Sequence, residues 1–245
     1  MQSVTLSLYR FGSTRARVWA LLQMAVARFA LRNLRDIGMV KLCGSGVGQG
    51  FTPIPDTSVY AILATWPDHD GARRAMFGTN VFRRYSAMAE ERMTIFLTPA
   101  SARGKWDGQE PFIAQDIALT GPVAALTRAT VRMTRAGRFW RHEPAISRAI
   151  GENPDVLFKV GIGELPLVRQ ATFSIWPDTA SMARFARADG PHANAIRAVR
   201  DGGLFREDLY ARFRVDAIEG TWGGVTPDLT SAPQPVTNQM KVAAE

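Results

Sequence analysis

The chain has 245 residues, 46% of them hydrophobic and 21% charged, which is the composition of an ordinary globular protein. That length suits one large domain or two of ordinary size, and it is enough to bury a substantial core. The formal net charge of +8, supplied mostly by arginine, favours anionic partners such as phosphates, carboxylates or acidic lipid headgroups. Charge alone does not choose among them, and a basic surface that only keeps the protein soluble is the simplest alternative.

The first half of the chain predicts the element order β-α-β-β-α-β. Its strands are rich in alternating β-forming residues, and Ser13 or Thr14 can cap its first helix. Pro67 and Asp68 end the third strand and start the second helix. In chain order, the predicted elements are a strand at 4–11, a helix at 15–34, strands at 39–44 and 59–66, a helix at 72–91 and a strand at 93–99.

The second half predicts the same order. The dipeptide Gly190-Pro191 predicts a break within its second helix. The tail after Gly224 is rich in Pro, Thr, Ser and Gln and lacks periodicity, so we expect it to be flexible. The predicted elements are a strand at 122–132, a helix at 136–150, strands at 156–164 and 168–176, a helical segment at 178–203 and a strand at 208–218.

Four pairs of short motifs recur in the same order at offsets of about 110 to 120 residues. The tripeptide Trp-Pro-Asp occurs at 66–68 and at 176–178, each time at the end of an apolar run. The other pairs are TRARVW with TRAGRFW, MVKLCGSG around Lys41 with LFKVGIGE around Lys159, and GKWDG with GTWGG. Coincidence can explain one pair, but four ordered pairs at a near-constant offset indicate an internal duplication.

The duplication and the element order together predict an α+β fold made of tandem ferredoxin-like βαββαβ repeats. Each such sheet has helices on one face only, so two copies in one chain can cover each other and form a pseudo-symmetric dimeric α+β barrel. The predicted boundaries are residues 1–112 for the N-terminal half, 116–224 for the C-terminal half and 225–245 for the flexible tail.

The single cysteine, Cys43, excludes an intramolecular disulfide and a cysteine-rich metal site. Its apolar neighbours predict a buried structural thiol, which fits a cytoplasmic protein. The chain starts with a strand-like run and not with a secretion signal. The longest apolar helical stretch, residues 18–27, is too short for a bilayer core, which needs about 20 residues. We therefore expect a chain that does not span the membrane.

The familiar nucleotide-binding and metalloprotease motifs are missing from the sequence. The nearest glycine-rich stretch, GSGVGQG at residues 44–50, lacks the dinucleotide-binding spacing and continues into prolines instead of a helix. A phosphate-binding loop remains an alternative, but a long hairpin loop is the better interpretation.

The chain has three histidines. His69 lies at a predicted helix start between two aspartates, which is typical of a solvated residue. His142 and His192 each share a helix face with apolar residues, so both are candidates for the interior. A hydrogen-bonded core histidine is the ordinary role for such a position. The scattered histidines show no zinc-ligand spacing, whereas an axial bond to haem iron needs only one.

The second predicted helix also carries large apolar residues, at Met76, Phe77, Phe82, Tyr85 and Met88. They could line an apolar cavity. Their spacing is more typical of an ordinary core between a helix and a sheet.

Four long stretches of this sequence resemble the spheroidene monooxygenases, the acyclic carotenoid 2-ketolases of purple photosynthetic bacteria. The resemblance covers roughly residues 3–224. The stretches are KVGIGELPLVRQATFSIWPD at 159–178, RFWRHEPAISRAIG before it, GPHANAIRAVRDGGLFREDLYARF after it, and KLCGSGVGQGFTPIPDTSVYAILATWP in the first half.

The resemblance implies an oxidation at C-2 of spheroidene that uses dioxygen and gives spheroidenone. It also implies a haem cofactor and a reduced ferredoxin-type electron donor. Two successive hydroxylations at one carbon and loss of water would give the ketone. Because the substrate is a long lipid, we expect a cytoplasmic protein bound peripherally to the inner, photosynthetic membrane through its basic surface.

For the haem iron, the sequence favours His192 over His142 as the axial ligand. His192 follows the Gly-Pro break and is flanked by alanines, which leave room for a flat macrocycle, whereas His142 is adjacent to Glu143, a possible partner for a core histidine. Arg200, about 80° around the helix from His192, can reach a haem propionate. Other catalytic residues are not assigned.

Two other classes of function stay open at this point. One is a non-catalytic protein that binds haem or a carotenoid on the same fold. The other is a nucleic-acid-binding protein that uses the arginine surface, but no recognition motif supports it, so we expect no nucleic-acid partner.

Overall fold

The computed structural model describes residues 1–47, 52, 54–137, 140, 153–165, 168–187 and 203–229. Within this part of the chain, eight antiparallel strands form a closed barrel and four helices accompany them. The strands are β1 (Ser3–Arg10), β2 (Val40–Gly46), β3 (Pro55–Trp66), β4 (Glu91–Gly104), β5 (Val123–Val131), β6 (Phe158–Leu165), β7 (Arg169–Trp176) and β8 (Phe205–Gly220). The helices are α1 (Thr14–Arg32), α2 (His69–Gly78), α3 (Asn80–Met88) and α4 (Thr179–Arg187).

The barrel order is β1-β3-β2-β6-β7-β5-β8-β4, and β4 pairs with β1 to close it. The first four strands of the chain therefore lie side by side as β4-β1-β3-β2, which we call the N-half sheet. The last four lie side by side as β8-β5-β7-β6, the C-half sheet. The two sheets meet where β2 pairs with β6 and where β4 pairs with β8. The predicted α+β class is confirmed.

The strand-to-helix corners form as the Trp-Pro-Asp motifs predict. Asp68 accepts a hydrogen bond from the Gly71 backbone N at 2.6 Å and caps α2. Asp178 accepts one from the Ser181 backbone N at 2.6 Å, next to the start of α4. An N-cap carboxylate of this kind satisfies a backbone donor that the first helical turn leaves unpaired.

The helix predicted at 72–91 is in fact two helices, α2 and α3. Thr79 leaves the helical conformation, with φ −92° and ψ 145°, and its hydroxyl donates to the Ala75 carbonyl at 2.8 Å. Gly78 and Thr79 are both poor helix formers, which weakens the helix at this point. The break lets α2 and α3 follow the curved face of the N-half sheet separately.

Parts of the prediction fall outside the described residues. Of the helix predicted at 136–150, only residues 136, 137 and 140 are described, and they are helical. The segment after α4 up to residue 202 and the tail from residue 230 are likewise outside the described part. None of the helices that the structure describes combines the length and apolarity needed to cross a bilayer.

Candidate functional site

The barrel interior is a packed core. Large aliphatic and aromatic side chains from all eight strands point inward and are buried, with Trp106 and Phe112 from the loop after β4. Cys43 is among them, so the predicted buried thiol is confirmed, and burial raises the pKa of that thiol well above its ordinary value. A core of this density is typical of small eight-stranded barrels and leaves the interior to structural packing.

A cluster of charged side chains lies next to Trp106 at one end of the barrel. Arg128 points inward with a side chain that is only 1% exposed, and it donates a hydrogen bond to Glu207. The Trp106 Nε1 donates to Glu164 at 2.8 Å. Arg128 and Lys41 also lie over the Trp106 ring, with their charged groups 5.3 and 5.5 Å from its centre.

The charges in this cluster balance. Its three cations and three carboxylates are Lys41, Arg128, Arg169, Asp107, Glu164 and Glu207. Burial would raise the pKa of Glu207, but hydrogen bonds from the Gly108 and Asp107 backbone N–H groups and from Arg128 outweigh it and lower the pKa. The pKa of Asp107 is lowered in the same way, mainly by Lys41. Because its positive and negative charges balance, we interpret the cluster as structural packing at this end of the barrel.

The outer face of the N-half sheet is filled by bulky side chains. Tyr9, Tyr60, Ile62 and Phe96 point away from the barrel and are buried against the helical layer. Opposite them lie residues of all three helices of this half, including Ala16, Ala20, Leu31, Met76, Phe82 and Tyr85. The space between this sheet and its helices is therefore occupied by protein.

The outer face of the C-half sheet has a different composition at matching register positions. Trp66 pairs with Ser3 and Trp176 with Val123, which fixes the correspondence between the two sheets. On that correspondence, the bulky residues Leu42, Ile62, Tyr60, Tyr9 and Phe96 are replaced by Gly161, Thr172, Gln170, Ala129 and Arg212. We call this outer surface of β5, β6, β7 and β8 the C-half face.

In the described part of the chain, the centre of the C-half face is less covered than its N-half counterpart. Ser7, in the middle of β1, is 0% exposed, whereas Thr127, at the matching position of β5, is exposed. Ile62 is 1% exposed, whereas its counterpart Thr172 is half-buried. Ala125 is also half-buried. Tyr210 of β8 pairs with Thr127 and lies beside it on the same face. Since protein interiors are close-packed, the exposure of Thr127 makes this part of the face a candidate ligand surface.

Two cations lie on the C-half face. Arg212 is exposed and pairs through its backbone with Ala125, where the N-half sheet has the buried Phe96. Lys159, on β6, is half-buried and pairs with Ser174 on the same row. Arg212 forms no ion pair with any of the residues described. The face therefore has small side chains in the row of Ala125 and an exposed cation, Arg212, on its β8 side, which suits a ligand that carries acidic groups.

The end of the C-half face that contains Trp176 is covered by α4. Met182 and the half-exposed ring of Phe185 pack on Trp176, with ring centres 5.1 Å apart for the two aromatic residues. Val123 completes this small cluster. The open area is therefore limited to the rows of Ala125, Thr127 and their neighbours.

The residues predicted to bind haem all lie outside the described part of the chain. These are His192, its alternative His142 and the propionate candidate Arg200. Of the three histidines, only His69 is described. The predicted helix start is confirmed, since α2 begins at His69. The side chain is only partly solvated, with its ring 5.1 Å from that of Phe96 and its Nε2 accepting a hydrogen bond from Arg73 at 3.0 Å.

The helix residues that could have lined a cavity form a core, as preferred from their spacing. Met76, Phe82 and Tyr85 are buried between the helices and the N-half sheet, and Phe77 is exposed. Among the described residues, no group of three or more His, Cys, Asp or Glu side chains is arranged to hold a metal ion.

Sequence reasoning missed the C-half face, because the paired motifs do not show which face of a sheet the residues between them occupy. The strand register supplies that comparison of the two sheets. The comparison also corrects one landmark: Lys41 pairs with Leu63 and points into the barrel, whereas Lys159 pairs with Ser174 and lies on the C-half face. A one-residue offset moves a side chain to the opposite face of a sheet.

The fold places the protein in the class of α+β barrel proteins. An aldoxime dehydratase solved in complex with butyraldoxime superposes with a TM-score of 0.60, covering 87% of this chain and 79% of its own, at 11% identity. At that identity the likeness concerns the fold alone. No protein-family model matches the chain.

Comparison of sequences identifies the family. The spheroidene monooxygenase of Cereibacter sphaeroides is 48% identical over 261 aligned residues, which cover 100% of this chain and 80% of the relative. The spheroidene monooxygenase of Rhodobacter capsulatus is 45% identical over 230 residues, covering 93% of this chain and 95% of the relative. The chain belongs to the spheroidene monooxygenase family, as the resemblance predicted.

Proposed function

We propose that this chain is a haem-dependent monooxygenase that introduces a keto group at C-2 of an acyclic carotenoid, converting spheroidene to spheroidenone. The relatives named spheroidene monooxygenase support the reaction class and the substrate class. The observation that carries the location of the site is the exposed Thr127 in the centre of the C-half face, where the N-half sheet has the buried Ser7.

The reaction balances as two hydroxylations at one carbon. In each, a C–H bond at C-2 becomes C–OH, dioxygen supplies the oxygen atom, and its second oxygen leaves as water with two electrons and two protons from outside. The geminal diol then loses water and leaves the ketone. The electrons require a reductant, and we propose that a reduced ferredoxin-type protein supplies them.

The described residues of the C-half face fit haem. The macrocycle is flat and largely apolar, and Ala125, Thr127 and Thr172 are small, with the Tyr210 ring beside Thr127. Its propionates are anionic, and the exposed Arg212 supplies a cation on the β8 side of the face. When bound, haem supplies the activation of dioxygen, which amino-acid side chains alone do not provide.

The protein's own part is to bind, orient and keep water out. The Thr127 and Thr172 hydroxyls lie opposite each other on neighbouring strands and can donate hydrogen bonds at the centre of the face. The half-exposed Phe185, which packs on the buried Trp176 at one end of the face, offers an apolar surface to the polyene. In this proposal Arg212 holds an acidic group of the cofactor, as Arg200 does from the segment before β8.

His192 remains the proposed axial ligand, with His142 as the alternative. Trp66 and Trp176 are 110 residues apart, and the same offset leads from Phe82 to His192. Phe82 is buried between α3 and the N-half sheet, with its ring 6.2 Å from that of Trp66. The offset supports His192 because the equivalent position in the N-terminal half faces the sheet.

A turnover assay with labelled dioxygen tests the function. Purified protein is reconstituted with haem, reduced ferredoxin and spheroidene, and the carotenoid is analysed by mass spectrometry. We expect a ketone that carries one labelled oxygen, and no product when either the reductant or dioxygen is omitted. A protein that binds the carotenoid and returns it unchanged would be the non-catalytic carrier, and the proposal would then be wrong.

Two histidine variants test the ligand. His192→Ala is expected to lose the Soret band, or to keep a five-coordinate spectrum that added imidazole restores, while His142→Ala keeps the wild-type spectrum. The reverse result assigns the ligand to His142. Retention of the wild-type spectrum by both variants would reject both assignments.

We also infer that the two halves are copies of one ferredoxin-like βαββαβ unit, with boundaries at 1–112 and 116–224. The matched strand orders support this inference, as do the bridges that Trp106 forms to Gln109 and Trp222 to Val225 after the last strand of each half. An experimental structure tests it. Superposed halves should place Trp66 on Trp176 and Trp106 on Trp222, and displacement of either pair would contradict the duplication.

A further inference from the structure

Helix α1 presents most of its large apolar residues to solvent. Its buried side consists of Ala16, Ala20, Ala27 and Leu31, and the partly buried Trp19 and Met24 pack against the same core. The outward residues are larger, and each is more than half exposed: Val18 54%, Leu21 59%, Leu22 61%, Val26 60% and Phe29 61%. An amphipathic surface helix normally has the opposite arrangement, with its large apolar residues toward the core.

These five residues form one continuous stripe. With the exposed Ala25 they follow the spacing i, i+3, i+4, i+7, i+8 and i+11, which places them on a single side of the helix. The stripe is about 16 Å long at the rise of an α-helix. Contiguous exposed apolar surface of this kind marks an interaction site, whereas singly exposed apolar residues do not.

Arginines surround the stripe. Helix α1 contains four of them and no acidic residue: Arg15, Arg17, Arg28 and Arg32, all exposed. Arg28 lies over the ring of Phe29, with its guanidinium carbon 5.3 Å from the ring centre. Two of the four lie in the first helical turn, where the helix dipole disfavours positive charge. Their position is unfavourable for the helix alone and favourable for an anionic partner.

We propose that α1 is an in-plane membrane-docking helix that inserts its apolar stripe into an anionic lipid surface while its arginines contact the headgroups. The combination of an apolar side with flanking arginines is the pattern of interfacial helices. The sequence suggested membrane binding from net charge alone, and this proposal assigns the binding to specific residues of α1.

A second copy of this chain fits the stripe less well. Arginines lie at both ends of α1, so parallel and antiparallel packing of two copies each bring arginine against arginine, and α1 has no carboxylate to compensate them. A bilayer offers negative charge around apolar depth, which matches the stripe and its surroundings together. This inference is based on α1 alone and does not depend on the proposed reaction.

Vesicle flotation of the full chain tests the proposal. The stripe variant Leu22→Gln/Val26→Gln/Phe29→Gln removes apolar surface, and the charge variant Arg15→Gln/Arg28→Gln/Arg32→Gln removes positive charge. A matched control, Ile54→Gln/Phe77→Gln/Ile113→Gln, changes three equally exposed apolar residues outside α1. Glutamine keeps good helix propensity, and an unchanged thermal midpoint confirms that each variant is folded.

The wild type and the matched control are expected to float with vesicles of phosphatidylcholine and phosphatidylglycerol. The stripe variant should partition on the order of 100-fold more weakly, because three large side chains no longer enter the apolar layer. The charge variant should also lose on the order of 100-fold at low salt, and its deficit should shrink as salt screens the headgroups.

Three results would overturn the proposal. The first is a stripe variant that floats as the wild type does. The second is a matched control that loses binding equally. The third is a wild type that does not bind vesicles but sediments as a dimer, together with a stripe variant that sediments as a monomer. That result would identify a second copy of the chain as the partner. Flotation requires no catalytic turnover, so its outcome is separate from that of the carotenoid assay.

Discussion

The N-half and C-half sheets share one backbone plan but use their outer faces differently. In the N-half sheet, Tyr9, Tyr60, Ile62 and Phe96 fill the space up to the helices. In the C-half sheet, the matching residues are small or polar, and Thr127 is exposed at the centre. The two sheets thus differ in how far their outer faces are filled, and the proposed function assigns the less filled face to the ligand.

The difference between the two outer faces also affects the stability of the protein. Burial of a large apolar side chain stabilises a protein by about 1.5–3 kcal/mol, so the C-half face gives up stabilisation at every position where a bulky residue is replaced. Sites that sacrifice stability in this way are usually functional. The following predictions use matched positions in the two halves, in order of decreasing effect.

The largest effect is expected from emptying the N-half face. Tyr9→Ala removes a buried ring that packs on Tyr85, with ring centres 5.1 Å apart, and should cost about 3–5 kcal/mol of unfolding free energy. Chemical denaturation measures this loss. Haem affinity should be unchanged, since Tyr9 lies on the opposite sheet. A loss of haem binding without loss of stability would reverse the roles of the two faces.

Glu207 and Glu91 occupy corresponding positions in the two sheets, so they allow a buried ion pair to be compared with a more exposed one. Glu207 accepts from Arg128, which is buried, whereas Glu91 accepts from Arg10, which is 36% exposed. The Arg128 Nη1 atom donates to Glu207, while its Nε and Nη2 atoms are buried without a hydrogen-bond partner in the described part of the chain. Glu207→Gln should therefore cost roughly 2 kcal/mol, and Glu91→Gln roughly 1 kcal/mol or less. Equal losses in urea denaturation would show that burial of Arg128 is unimportant.

Arg212 distinguishes binding from stability. Arg212→Gln should weaken haem affinity about tenfold, because a hydrogen bond to a charged group contributes about 1.5–3 kcal/mol and solvent reduces that value here. The unfolding free energy should not change, since Arg212 is exposed. Haem titration followed by absorbance measures the affinity, and Arg214→Gln, next on the same strand face, serves as the control. Equal loss in both variants would remove the specific role of Arg212.

Acid should destabilise the protein through the same carboxylates, with a smaller effect for each. The folded-state pKa values of Asp107, Glu207 and Glu91 are lowered, by hydrogen bonds and positive charges that outweigh burial. A lowered pKa contributes stability above the unfolded-state value, near 4, and this contribution is lost as the pH falls through the folded-state value. The thermal midpoint should therefore fall below about pH 4, and Glu207→Gln should flatten the dependence. A midpoint that rises on acidification would contradict this sign.

The sequence predicted the strands well because their patterns are local. Alternation of β-formers indicated all eight strands, and Asp68 and Asp178 marked the helix starts. The break at Thr79 was missed because one weak residue pair inside a periodic helix gives little signal. The buried charge of Arg128 was also missed, since its partners come from β8 and from the loop after β4, far along the chain.

The site was harder to predict for the same reason. An alternating strand such as β5 looks alike whether its outer residues meet a helix or a ligand. Only the register of neighbouring strands shows that Ala125, Thr127 and Thr172 lie together on the C-half face, with Tyr210 of β8 beside Thr127. The candidate ligands His192 and His142 came from spacing and resemblance, and they stay predictions.

The most direct test of the central claim is to fill the C-half face. Thr127→Trp places a large ring at its exposed centre, where aromatic residues are compatible with a strand and little stability should be lost. Thr57→Trp makes the same change at an exposed strand position in the N-terminal half. In a haem titration followed at the Soret band, we expect the wild type and Thr57→Trp to bind alike and Thr127→Trp to bind on the order of 100-fold more weakly. Wild-type haem affinity in Thr127→Trp would show that the C-half face is not the cofactor site.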